Sequence, residues 1–342
     1  MNTPTLSGLE KMQFEMNRQH RDSLASFEGA THMAREIAHS LEQTGHLLLL
    51  GMGASHYANR MAEPLYRALG LETYALPLSE ALYAPLPARA RTVLLASQSG
   101  ESGEVRRYLE RTPDLEHHFG LSLDPSSTLA CHLPTLLGVG GPEQGFAATR
   151  SLMASLALHG AVLEVLGSPQ TALRKVLEQP PQISVTAVLE HLMNAPYLIF
   201  SGRAELQGLA EVSALHAAEL GRIPALALEG GQFRHGPIEL LGAELPGAGA
   251  GVVLFRAGGP TASLSAALAR TCLEAGVTPV VFDASGETPV AGAITLTLPS
   301  SGGLSACVAA LPPLQHLLLG LAQRRVQHLA EPKYARKITG EV

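Results

Sequence analysis

The stretch with the clearest chemistry is Thr92–Ser102, TVLLASQSGES. Thr92 to Ala96 are apolar or β-branched and predict a buried strand that ends in Ser97-Gln98-Ser99-Gly100-Glu101-Ser102. Val105, Tyr108 and Leu109 then fall on one face of a helix. A strand that opens through a hydroxyl-rich turn into a helix is an anion seat. The first helical N–H groups have no intrahelical partner, and the helix dipole favours negative charge there. The hydroxyls of Ser97, Ser99 and Ser102 can donate to phosphate oxygens. No lysine stands in the turn, so it is not a nucleotide P-loop. The plainer alternative is an ordinary strand–turn–helix connection with an N-cap serine.

A second glycine-containing turn, Gly51-Met52-Gly53-Ala54-Ser55, follows the apolar strand His46–Leu50. It precedes a helix to about Leu69, with Gly70 as its stop. Gly51 and Gly53 match two positions of the dinucleotide fingerprint, but His56 stands where the third glycine belongs, so a nicotinamide cofactor is not implied.

The surrounding elements form a regular rhythm. Residues 9–43 predict amphipathic helices, with Leu9, Met12, Met16, Leu24, Phe27, Met33, Ile37 and Leu41 on their apolar faces. Strands follow at Glu72–Leu76, His118–Leu123 and Leu136–Val139, and a long helix at Phe146–Leu166. Strands alternating with helices predict a parallel sheet covered on both faces. The stretch 177–182 holds paired prolines and predicts a domain boundary. A second set then repeats the first. It has strands at Tyr197–Phe200, Ala225–Leu228, Gly251–Phe255, Thr278–Phe282 and Ile294–Leu298. Its helices are Glu205–Leu220, Ser263–Ala275 and roughly Ser305–Leu329, the last with a bend at Pro312-Pro313. Gly51 and Glu80 recur as Gly202 and Glu229 at nearly the same spacing, which predicts an internal duplication of one α/β unit. The expected organisation is a helical segment at 1–45, α/β domains at 46–178 and 183–330, and a tail at 331–342.

Composition excludes several classes of function. The 342 residues are 46% hydrophobic and 16% charged, enough to bury large cores. The net charge is −6, no basic cluster is present and tryptophan is absent, so neither nucleic acid nor an anionic membrane surface is an expected partner. No apolar run is expected to span a membrane, and the polar N-terminus does not read as a signal peptide. Cys131, Cys272 and Cys307 are widely spaced and read as reduced core residues of a cytoplasmic protein. The 14 histidines do not group with carboxylates at metal-ligand spacing, and His117-His118 reads as a solvated turn. No metal, nucleotide or flavin cofactor is expected.

Four stretches together resemble the sugar isomerase (SIS) family: Gly51-Met52-Gly53-Ala54-Ser55, Ser97–Ser102, Arg234-His235-Gly236-Pro237 and Lys337-Ile338-Thr339. More narrowly, the chain resembles the isomerase half of glucosamine-6-phosphate synthase. It is also similar to stand-alone glucosamine-6-phosphate deaminases of the SIS type and to fructosamine-6-phosphate deglycases. The resemblance implies two tandem SIS domains, each a flavodoxin-like three-layer αβα sandwich. It places a sugar phosphate on Ser97, Gln98, Ser99 and Ser102, with Gly53, Ala54 and Ser55 assisting. It implies that Glu219 moves a proton between C1 and C2, that His235 opens the sugar ring and that Lys337 reaches the open-chain carbonyl. It also implies a homodimer with shared active sites.

These residue types suit that chemistry. One carboxylate near two adjacent carbons can take and return a proton through an enediol or enolamine, and burial would raise its pKa and its basicity. Histidine exchanges protons near neutral pH, as ring opening requires. Read without the resemblance, Glu219 is a helix-end residue beside Arg222, His235 holds a turn, and residues 331–342 are a solvated tail. The chain also departs from the synthase pattern. His216 stands where the synthase has a lysine, as a further candidate for proton transfer or as a packing residue. Ala54 replaces a hydroxyl residue, and 145–150 carries Phe146 and lacks a serine. Residue 2 is Asn rather than the nucleophilic cysteine of the glutaminase half, so synthesis from glutamine is not expected. The first expectation is therefore conversion of glucosamine 6-phosphate to fructose 6-phosphate and ammonia. The alternatives are a deglycase, a plain aldose–ketose isomerase and a sugar-phosphate sensor without turnover.

Overall fold

The computed structural model describes residues 6–242, 249–337, 339 and 340. The chain divides into two compact units, Met1–Glu178 with Pro332–Val342, and Gln179–Glu331. Asn2 and Ile338 lie outside the described residues.

The first unit opens with α1 (Gly8–Gly29), started by a capping box in which Ser7 and Glu10 satisfy each other's backbone amides. After α2 (Thr31–Thr44), Gly45 at φ 65° closes the helix by donating to the Leu41 carbonyl. The alternating part follows: β1 (His46–Gly51), α3 (Gly53–Ala68), β2 (Glu72–Pro77), α4 (Leu78–Tyr83), β3 (Thr92–Ala96), α5 (Gly103–Arg111), β4 (His118–Ser122), α6 (Thr128–His132), β5 (Thr135–Leu137), α7 (Arg150–Val165) and α8 (Thr171–Glu178). The strands pair in parallel in the order β2-β1-β3-β4-β5. Helix α7 is buried over fourteen consecutive residues, Arg150 to Leu163, because it packs against α1, α2 and α3.

The second unit contains α9 (Thr186–Leu192), β6 (Leu198–Gly202), α10 (Glu205–Gly221) and β7 (Ala225–Glu229). Two 3₁₀ turns follow at Gln232–Arg234 and Pro237–Leu241, then β8 (Gly251–Ala257), α11 (Ala262–Glu274), β9 (Val280–Ala284), β10 (Ile294–Thr297) and α12 (Leu304–Ala322). Its parallel sheet has the order β10-β9-β8-β6-β7. Counted along its own unit, each sheet reads second-first-third-fourth-fifth, the flavodoxin-like order. Such a sheet has its ligand crevice between the first and third strands, outside their carboxyl ends.

Several expectations need correction. The long helix begins at Arg150 rather than Phe146, because the Glu143 carboxylate takes the amides of Thr149 and Arg150 and holds 143–149 as a loop. Leu177 and Glu178 end helix α8, with Leu177 buried, so the linker starts later than 177. The last helix ends at Ala322 with both prolines inside it, where the sequence turns polar. Among the described residues one helix, α12, is long and apolar enough to cross a membrane, contrary to the sequence reading, but 83% of its apolar stretch is buried within the fold. His118 starts β4 half-buried and meets the Tyr108 hydroxyl, and His117 Nδ1 meets Ser40 Oγ, so the pair is no solvated turn. Cys272 and Cys307 are buried, but Cys131 is exposed.

Candidate active site

In the first unit the crevice lies between β1 and β3. Gly51 and Ala96 are register partners at its floor, so the turns that follow them are neighbours. A Cβ on Gly51 would stand 3.0 Å from the His56 nitrogen and 3.1 Å from the Ala96 carbonyl oxygen. Glycine here lets the first turn of α3, Gly53-Ala54-Ser55, approach β3. Gly53 and Gly100 both have positive φ, at 51° and 63°.

The serine turn is ordered by its own hydroxyls. Ser97 Oγ accepts from the Gly100 amide at 3.1 Å, Ser99 Oγ from Glu101 at 3.3 Å and Ser102 Oγ from Val105 at 3.4 Å. Each oxygen is used as an acceptor, which leaves each O–H proton available to donate. The Gln98 side-chain nitrogen is buried without a hydrogen-bond partner, a donor that needs an acceptor. The one carboxylate of the turn faces elsewhere: Glu101 pairs with Arg106 at 2.6 Å and accepts from Thr128 at the start of α6. Ser97, Gln98, Ser99 and Ser102 thus form a donor-rich cradle suited to a phosphate, with Gly53, Ala54 and Ser55 on the adjoining turn.

Lys337 belongs to the same unit. Its ammonium lies 3.7 Å from the Glu143 carboxylate and donates to the Phe146 carbonyl at 3.3 Å. Two residues on, the Thr339 carbonyl accepts from the Gly103 amide at 2.9 Å, in the first turn of α5. The tail is therefore joined to the helix that carries the serine turn and is not a free solvated end. The Glu143 side chain is fully buried. Burial pushes its carboxyl pKa up, but Lys337 and the hydroxyls of Ser151 and Thr149 outweigh this and leave it below the ordinary value. Arg150, itself fully buried, pairs with Glu15 of α1 at 2.6 Å and donates to the carbonyls of Val139 and Gly141. This network fixes the loop that holds Glu143. Sequence reasoning missed both Glu143 and Arg150; the available signal was a charged pair beside a run of apolar helix.

In the second unit Glu219 is half-buried in the last turn of α10, and His216 is buried one turn earlier on the same face. His235 is exposed, directly after the turn Gln232–Arg234, and its amide donates to the Gln232 carbonyl. Gly236 has φ 110°, which explains a glycine after the histidine. Glu229, at the end of β7, accepts from the Gly231 amide at 2.7 Å, from Gln232 at 2.9 Å and from Arg203 at 2.9 Å. The Glu229 carboxylate thus holds the turn that precedes His235, a role absent from the sequence reading. Among the described residues no group of three or more His, Cys, Asp or Glu could hold a metal ion.

A doubly wound α/β protein with a hydroxyl-lined turn at its crevice is the class that fold and geometry define. No known protein-family profile matches the chain. Glutamine–fructose-6-phosphate aminotransferase (isomerizing) of a Nostoc species is 28% identical over 335 residues, covering 86% of this chain and 51% of that protein. The chain thus spans about half the length of this relative. Among solved structures, tagatose-6-phosphate ketose/aldose isomerase from Escherichia coli superposes with TM-score 0.77 at 21% identity, over 100% of this chain and 99% of its own. Glucosamine-6-phosphate deaminase from Thermotoga maritima gives 0.74 at 20% identity, over 97% and 100%. These likenesses in sequence and fold support the resemblance to the sugar isomerase (SIS) family that the four motifs carry.

Proposed function

We propose that the protein is an enzyme acting on an amino-sugar 6-phosphate, converting glucosamine 6-phosphate and water to fructose 6-phosphate and ammonia. The observation that carries this reading is the cradle of Ser97, Gln98, Ser99 and Ser102, with an orphan buried donor, on the helix to which the tail bearing Lys337 is joined. The phosphate accepts from the cradle. His235 exchanges a proton with the ring oxygen and opens the sugar. Glu219 takes the proton from C2 and returns it to C1, which converts the aldehyde and amine to a ketose imine. Water then replaces nitrogen at C2, releasing ammonia and leaving the ketone. Lys337 holds the open-chain oxygen, and His216 stands one turn from Glu219 as a second proton carrier.

The deaminating direction is supported by the end-to-end likeness to the Thermotoga deaminase. An equally complete likeness to the tagatose-6-phosphate isomerase supports a second reading, aldose–ketose isomerisation without loss of nitrogen. Ammonia and fructose 6-phosphate measured together from glucosamine 6-phosphate separate the two. Equal yields, with Glu219→Gln lowering the rate by about 10²–10⁴-fold, support the deaminase. Absence of ammonia, with isomerisation of a neutral sugar phosphate, supports the second reading. Binding with no turnover of either substrate overturns both.

A further inference from the structure

A cavity of about 690 Å³ lies beneath the segment that joins α4 to β3. Small-molecule sites typically measure about 300–1,000 Å³. Its floor is one face of the first sheet, Leu48, Leu76 and Val93, and the covering strap runs from Pro85 to Arg91. The C-terminal half of α5 closes one side with Tyr108 and Arg111. The serine turn adjoins the opposite end of this nine-residue helix, about 13 Å away along its axis. No residue of the anion cradle lines the cavity.

The polar wall is pre-formed. His118 Nδ1–H donates to the Glu116 carbonyl at 2.8 Å, so Nε2 accepts from the Tyr108 hydroxyl at 3.1 Å. Burial lowers the pKa of His118, which favours this neutral tautomer. The arginines are less well served. Glu72 pairs with Arg89, whereas Arg91 donates to the neutral Pro87 carbonyl. Burial lowers the Arg91 pKa, and the neighbouring Arg89 charge lowers it further. Arg111 lies over the Tyr83 ring at 5.9 Å. Among the described residues neither Arg91 nor Arg111 has a carboxylate at ion-pair distance. Asp114 and Glu116 also line the cavity, but both are exposed at its rim, and Asp114 is engaged by the Glu116 amide.

We propose that this cavity is a second ligand site, for an organic anion whose single phosphate or carboxylate head is held by Arg91 and Arg111 and whose apolar or aromatic body lies on Leu48, Leu76 and Val93. Two arginines and an apolar floor in the lining of one cavity fit a head and a body together, and either alone leaves half of the site unused. The inference does not rest on the proposed reaction.

The test is a fluorescence titration of the full chain with 8-anilinonaphthalene-1-sulfonate, an anion with an aromatic body. Binding of one probe per chain is expected, displaced by 1-naphthyl phosphate or by 1-naphthoate. The better competitor identifies the head group. Inorganic phosphate and glucose 6-phosphate, which lack an apolar body, leave the probe in place. Arg91→Gln combined with Arg111→Gln weakens binding about tenfold or more. Because Arg91 also secures the strap, a second variant, Ala81→Phe, fills the cavity from α4 while both arginines are retained and abolishes binding. No binding to the unaltered chain, displacement by inorganic phosphate, or unchanged affinity in Ala81→Phe overturns the proposal.

Discussion

At the scale of single residues, the cradle offers hydroxyl protons rather than charge. Ser97 and Ser99 each accept one backbone amide, so an alanine at either position removes both a donor to phosphate and a restraint on the turn. A hydrogen bond to a charged group contributes about 1.5–3 kcal/mol, so Ser99→Ala is expected to raise KM for the sugar phosphate by roughly ten- to a hundredfold, with kcat less affected. Steady-state kinetics on the ammonia-release assay checks this; an unchanged KM removes Ser99 from the phosphate site. Glu143 presents a different case. Its carboxylate accepts from two backbone amides and from the hydroxyls of Thr149 and Ser151, with Lys337 beside it. Glu143→Gln turns one of these acceptors into a donor facing donors, which should cost about 1–3 kcal/mol of stability, read as a lower urea midpoint. The strand–turn–helix at Ser97–Ser102 was legible in the sequence because its residues lie within one short stretch and their hydrogen bonds are local. Glu143 was not, because its partner Lys337 is almost two hundred positions away and only the fold joins them.

At the scale of elements, helices α3 and α7 meet through a buried polar cluster. His159 Nε2–H donates to Asn59 Oδ1 at 3.0 Å, and its Nδ1 accepts from the Tyr66 hydroxyl at 3.2 Å. Both ring nitrogens are used by a neutral imidazole, and burial pushes the pKa down to about 4. Unfolded histidine titrates near 6.5, so below that pH the unfolded chain binds a proton that the folded chain refuses. The stabilising contribution is complete above pH 6.5 and is lost as pH falls toward 4, amounting to roughly 3 kcal/mol at about 1.4 kcal/mol per unit. His20 on α1, also held near 4 by burial, acts in the same direction and window. Thermal melts from pH 7 to 4 should therefore show a falling Tm, and His159→Gln should flatten that dependence. An unchanged slope would mean that the cluster does not govern the acid response. The elements themselves were legible, since apolar runs of strand length alternate with helical periods. Their ends were less so: α7 starts where the Glu143 carboxylate releases the backbone, a distance-dependent interaction that no local pattern encodes.

At the scale of the whole molecule, the duplication visible in the sequence reappears as two sheets of the same strand order, but their third strands end differently. After β3 comes the serine cradle. After β8 come Gly258, Gly259 and Pro260, and the end of that strand is occupied by Arg256, buried and paired with Asp283 at 2.9 Å and with Glu287. One copy leaves serine O–H protons unused at the strand end; the other pairs its charges internally. The chain leaves the first unit at Glu178 and returns to it at Pro332, a course that a sequence pattern cannot reveal because the tail has no periodicity. That return has a measurable consequence. The Gly103 amide is held by the Thr339 carbonyl, and Glu143 is neutralised by Lys337. A chain ending at Glu331 should keep the second unit's hydrogen-exchange protection while the start of α5 exchanges faster, because Gly103 loses its acceptor. Adding an analogue of the sugar phosphate to this shortened chain should restore part of that protection, since the phosphate accepts from the same helix start. Turnover should remain lost, because Lys337 is gone. If Gly103 exchanges at the same rate with and without the tail, the tail is not joined to the cradle in solution, and the role proposed for Lys337 loses its structural basis.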